Sequence, residues 1–200
     1  RGDTLFMADT NSGVRVFDAS RILCVDPDPS KDRCGIGFAD GRPRAFDYRY
    51  ILPQVGRYVL DQDDTNFSFC SMDWTDADRP QLLTGNYHRP TTPKYNNPQS
   101  MLAWWNLDGT QIVGRDRTLA WGVQKAQGAA SIDGHVLASR SGENPSLIVG
   151  TESNFSGTKT SSPWPHGCED LHFSPHSRNL WCLTEHTSDP GRFVFAVKAD

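Results

Sequence analysis

Four groups of residues in this chain have types and spacings suited to chemistry. The stretch FDYRYILPQ sets Tyr48, Arg49 and Tyr50 beside Asp47, with Gln54 four residues on. A guanidinium there can neutralise a carboxylate, and the phenols can hydrogen-bond or move a proton. Read as an ordinary strand, the same run buries its tyrosines and turns Arg49 to solvent. In GNYHRP, Asn86, Tyr87, His88 and Arg89 stand where a strand end meets a Pro/Asn-rich loop. His88 or Tyr87 could take a proton α to a uronate carboxylate while an arginine holds the acid. A third pair, Gln127 and Arg140, falls at facing positions of a predicted hairpin. The fourth group is WPHGCEDLHF, with His166, Glu169 and Asp170, opposite Glu185 and His186 of LTEH. Its oxygens suit Ca²⁺ and its nitrogens a transition metal, although acids at such a point also serve to tie strands together. EF-hand, HExxH, nucleophile-elbow and P-loop patterns do not occur.

The elements that must position these groups are strands. The chain has 200 residues, with 36% hydrophobic residues, 17 glycines, 13 prolines and 10% aromatics, which favours short strands separated by turns over helices. LDGTQIVGRDRTLAWGV comes nearest to a helical period, and Gly109 and Gly114 interrupt it. A repeated grammar is visible instead: strand, tight turn, strand, then a third strand after a looser connection. In QGAASIDGHVLASRSGENPSLIVGT, Asp133-Gly134 reads as a type I′ hairpin turn, because both central positions need positive φ. That turn sets Ile132 against His135, and counting back sets Gln127 against Arg140. The same grammar recurs in GCEDLHFSPHSRNLWCLTEH with a turn at Pro175 to Arg178, and in FSFCSMDWTDADRPQLLTGNYH followed by MLAWWNLD. In the opening stretch, TLFMAD and VRVFDAS read as second and third strands, with Gly2-Asp3 as the end of a turn rather than part of an adhesion tripeptide.

Small antiparallel sheets repeating every 40 to 50 residues are the pattern of a β-propeller, since one blade cannot bury both faces alone. The expected fold is therefore all-β: residues 1–200 as one propeller portion of four-stranded blades, about four of them, beginning inside a blade. A β-sandwich is the competing architecture. GTESNFSGTKTSS reads as a Ser/Thr linker. Six tryptophans suit inter-blade packing or stacking on sugar rings. Of the adjacent pair Trp104-Trp105, one is expected near solvent or an edge, because neighbours in a strand point to opposite faces.

FDYRYILPQVGRY, QGAASIDGHVLASRS and HGCEDLHFSPHSRNLWCLTEH together resemble a group of uncharacterised secreted proteins of actinobacteria and fungi, of β-propeller type. The last stretch is also similar to a blade of phytase-like and strictosidine-synthase-like propellers. The likeness rests on structural blade signatures and implies a fold, with about two further blades before this segment. It implies no particular activity.

Five cysteines are present, none in a CxxC pair or at zinc-like spacing. Cys24 and Cys34 enclose a polar loop that a local bridge would stabilise, and Cys168 and Cys182 sit on two arms of one hairpin. Cys70 is left over, as a buried thiol or as half of a bridge to another segment. With the sequons at Asn66 and Asn154, this points to a secreted protein. A net charge of −4 without a basic tract speaks against nucleic acid, and no apolar run is long enough for a membrane-spanning helix.

Three functional readings follow. The first is a secreted propeller that binds or processes an extracellular glycan at its channel mouth. Tyr48, Arg49, Tyr50, His88 and Arg140 would be its reactive groups, and Gln54, Asn86, Tyr87, Gln127, Glu169 and Asp170 its ligand contacts. No cofactor is implied beyond a Ca²⁺ at the channel. The second is a lyase on uronate-containing glycans, and the third a non-catalytic interaction propeller partnered by another chain or segment that supplies further blades.

Overall fold

A computed structural model describes residues 2–9, 13–25, 49–59, 67–91, 100–185 and 193–199. The chain is all-β, with four antiparallel sheets of three or four strands. The first sheet has the order β1 (Thr4–Asp9), β2 (Gly13–Asp18) and β5 (Gln54–Tyr58), and β3 (Leu23–Val25) pairs with β4 (Arg49–Ile51) as a separate ribbon. The second runs β6 (Phe67–Asp73), β7 (Gln81–Asn86), β8 (Met101–Asp108) and β9 (Gln111–Ala120). The third runs β10 (Ala126–Ile132), β11 (His135–Arg140), β12 (Ser146–Thr151) and β13 (Thr160–Pro163). The fourth runs β14 (Cys168–Ser174), β15 (Asn179–Thr184) and β16 (Val194–Lys198). In every sheet, strand order follows chain order.

Local chemistry accounts for the turns. Asp133 and Gly134 have φ of 49° and 75°, the values a type I′ turn requires, and Ile132 faces His135. The turn at Pro175 to Arg178 closes the β14–β15 hairpin with Ser174 opposite Asn179. The segment expected as a linker contains a 3₁₀ turn and the one-turn helix α1 (Phe155–Thr158). Its Asn154 cap accepts a hydrogen bond from the Gly157 amide, and its Phe155 is buried. TLFMAD and VRVFDAS pair as antiparallel neighbours, and among the described residues Thr4–Asp9 is the edge strand of its sheet and Gly13–Asp18 the middle one.

The sheets stack in chain order through their first strands. β1 packs on β6, β6 on β10 and β10 on β14, while β6 also touches β14. Three apolar cores fill the layers. Val14, Phe67, Met72, Leu82 and Trp105 lie between the first two sheets. Phe69, Leu83, Trp104, Trp121, Val136 and Ile148 join the second and third. Ala130, Leu137, Leu171, Phe173 and Leu180 join the third and fourth. This layering overturns the expectation for Trp104-Trp105. The two do point to opposite faces, but each face of β8 has a sheet upon it, so they are 0% and 5% exposed. Their indole N–H groups donate to Asp73 at 2.6 Å and Thr84 at 2.8 Å respectively.

Candidate functional site

The site begins with an alternation in β14. In CEDLHFS, Leu171 and Phe173 are buried in the core, and the intervening Asp170, His172 and Ser174 occupy the other face. That face lines a cavity of about 540 Å³. Its other walls come from the start of β1 (Thr4 to Phe6), from β6 (Cys70 to Met72), from Trp74, and from His176 on the β14–β15 turn.

Asp170 is aimed by a β-bulge. Glu169 faces Leu183 and Leu171 faces Cys182, so Asp170 is an extra residue, with φ of 50°. Aspartate tolerates the left-handed region better than most residues. The same irregularity recurs on the first strands of the two preceding sheets. Ser68 is the extra residue in β6 and Gln127 the extra residue in β10. The β14 bulge is packed from behind by Gly128, where a Cβ would lie 2.5 Å from the Asp170 carbonyl carbon and the Leu171 nitrogen. Close approach of two backbones is what the absent side chain permits.

Electrostatically this face is unusual. Asp170 opens to the cavity, yet its carboxyl group is crowded by protein, and this burial pushes its pKa up to about 7 against one lowering hydrogen bond from the Leu171 amide at 2.9 Å. Burial also holds His172 below the usual histidine range. Near neutral pH the cavity thus presents a carboxyl divided between its two forms beside a neutral imidazole. Cys70 is a buried free thiol in the wall, pushed up first by burial and then by the charge of Asp170. The indole N–H of Trp74 is buried without a hydrogen-bond partner among the described residues. A buried donor left unpaired costs about 1–3 kcal/mol, and a ligand acceptor would recover it.

The other residues singled out by sequence are placed as follows. Glu169 lies beside the cavity strand and accepts a hydrogen bond from the Gln127 amide. Burial and then the adjacent Glu185 carboxyl raise its pKa. The bulge also removes the expected Gln127–Arg140 pairing, because Ala126 stands opposite Arg140. Arg140 donates instead to the Asn144 carbonyl at 3.0 Å, away from the cavity. The carbonyl of His88 accepts from the Lys125 amide at 2.8 Å, while its Nδ1 is buried without a partner among the described residues. Asn86 accepts from the Met101 amide at 2.9 Å, and the Tyr87 amide donates to Ser68 Oγ at 2.9 Å; both tie strands together. Gln54 accepts from Arg15 at 3.4 Å. Cys168 and Cys182 are at disulfide distance, with Cα atoms 6.2 Å apart, flanking the bulge.

Tyr48, Cys34, Asn66 and His186 lie outside the described residues. For Cys24, Arg49 and Tyr50 the backbone register is described: Cys24 faces Tyr50, and Val25 faces Arg49. Among the described residues no group of three or more His, Cys, Asp or Glu is placed to hold a metal ion. No helix of the described residues is long and apolar enough to cross a membrane.

Among the described residues, Asp170 is the one sequence candidate that lines the cavity. Trp74 is one of the six tryptophans read as suited to packing or sugar stacking; His172, Ser174 and His176 were missed, although the period-two run Asp170, His172, Ser174 was readable once β14 was recognised as a strand with one buried face. No protein-family model matches the chain, and no curated protein shows significant similarity to it.

Proposed function

We propose that the chain is part of a secreted β-propeller that binds a neutral glycan in the cavity between β1, β6 and β14. The blade-like sheets stacking in chain order through their first strands support the propeller, and the Cys168–Cys182 pair is compatible with an oxidising compartment. The observation that carries the ligand class is the polar face of Asp170, His172 and Ser174 opposite the unpartnered Trp74 N–H. Such a wall offers donors and acceptors to sugar hydroxyls beside an aromatic surface. The volume suits one or two sugar rings.

A uronate is disfavoured because no lysine or arginine lines the cavity among the described residues. Lyase chemistry would need His88 and Arg140 near a common substrate, and neither lines this cavity. The experiment is equilibrium binding to a panel of neutral and acidic oligosaccharides, with Asp170→Asn and Trp74→Phe as variants. Saturable binding of a neutral sugar that both variants weaken about tenfold supports the reading. No neutral sugar bound, or binding indifferent to both substitutions, overturns it and leaves the interaction propeller as the better account.

A further inference from the structure

A second concavity lies on the far side of the third sheet, where that sheet meets the loop 122–124 that leads out of the second. Strand alternation puts Val136, Ala138 and Arg140 on the face of β11 that looks toward the second sheet, since Val136 and Ala138 belong to the core shared with it. Ala138 is the register partner of Ile148, and Ile148 of Ser161, so these three form a row across the sheet. Arg140 stands two residues beyond one end of that row and Lys159 two residues before the other. Together with Gln124, Thr160 and Ser161 they line a cavity of about 340 Å³.

Its chemistry is one-sided. Two cationic side chains enter it, and no acidic side chain lines it among the described residues. Arg140 is held by the Asn144 carbonyl through one terminal nitrogen, which fixes the guanidinium without neutralising it. Four other arginines among the described residues are matched to acids: Arg15 to Asp9, Arg79 to Asp76, Arg117 to Asp116 and Glu152, and Arg178 to Asp133. The register partner of Arg140, Ser146, lies behind the cavity lining on the same face as Ile148; it is 5% exposed, and its hydroxyl has no hydrogen-bond partner among the described residues.

We infer that this groove binds an oxyanion, a sulfate or carboxylate group, through Arg140, Lys159 and the Ser161 hydroxyl. A guanidinium fixed by its neighbour presents its remaining N–H groups in a fork that matches two oxygens of such a group. The apolar floor of Val123 and Ile148 leaves room for the body that carries it. The site is separate from the glycan cavity and does not depend on it.

The test titrates the whole chain with sodium sulfate against chloride at constant ionic strength, following the backbone amide signals of Gln124 and Lys159 to Ser161 by NMR. Parallel arms use glucuronate, a sulfated monosaccharide and the uncharged parent sugar. Sulfate should shift those amides saturably. Arg140→Gln should weaken binding at least about tenfold, Lys159→Gln several-fold, and Arg21→Gln, a remote exposed cation, by less than about twofold. A charged sugar bound more tightly than inorganic sulfate identifies a glycan substituent as the source. Equal affinity identifies the free anion. Loss of equal size in Arg21→Gln, or no saturable shift, overturns the inference. Lys159 is exposed, so its variant keeps the test decisive should Arg140→Gln fold poorly. Asp170→Asn should leave this binding unchanged, which separates its failure from failure of the glycan reading.

Discussion

Two aspartates on the first strands of the second and fourth sheets have opposite fates. Asp73 ends β6 at 3% exposure and is satisfied on all sides. It accepts from the Trp104 indole at 2.6 Å and the Thr75 amide at 2.8 Å, with the Arg117 guanidinium 3.6 Å away. That guanidinium also lies 4.4 Å above the Trp104 ring and bonds Glu152 at 2.5 Å, so one network joins the second sheet to the third. Asp170 accepts from one backbone amide, has no ion-pair partner among the described residues, and has a cavity before it. The first is a joint between sheets and the second faces a cavity, although both are acids on the first strands of their sheets. Partners, rather than residue type or burial, separate structure from function here.

That contrast can be broken in order of size. Asp73→Ala should cost about 3 kcal/mol in denaturant unfolding, because it leaves the buried Trp104 indole N–H without the carboxylate it donates to and removes one of the acids around Arg117, which keeps Asp116 and Glu152. If Asp170→Ala costs as much, the distinction fails. Removing the Cys168–Cys182 pair with a double serine substitution should cost about 3 kcal/mol, read as the difference in unfolding free energy between the variant and the oxidised wild type in denaturant. No difference would mean that the bulge is held without a covalent staple. Gly128→Ala should cost about 2 kcal/mol, since its Cβ meets backbone that cannot move aside, and should shift Asp170 and so weaken glycan binding as well. The smallest effect concerns pH. An acid raised from about 4 in the unfolded chain to about 7 in the folded one binds more protons when folded. Its contribution is therefore full below about pH 4 and is lost as pH rises toward 7. Relative to Asp170→Asn, the wild type should lose under about 1 kcal/mol across that window, as the carboxyl reaches water. Urea midpoints of both proteins from pH 4 to 8 measure it, and a wild type that gains stability would reverse the assignment.

Much of the fold was legible because hairpins are local. Asp133-Gly134 announced its turn, and the alternation of β14 announced its two faces. The bulges were not legible. Nothing in AQGAAS marks Gln127 as an extra residue, because the bulge answers to the backbone of β14 pressing on Gly128 from another sheet. Counting back from the turn therefore gave the wrong partner for Arg140. The burial of both Trp104 and Trp105 was hidden for a similar reason: alternation says that they diverge, but only the stacking of sheets says that neither direction leads to water.

By itself, then, the order of residues determined the strands, their turns and their sequence within each sheet, since these depend on φ preferences and on a period of two. Which polar groups became joints and which became a site was decided by the tertiary structure. A carboxylate acquires its character from what surrounds it, and the surroundings of Asp73 and Asp170 are built from strands far apart in the chain.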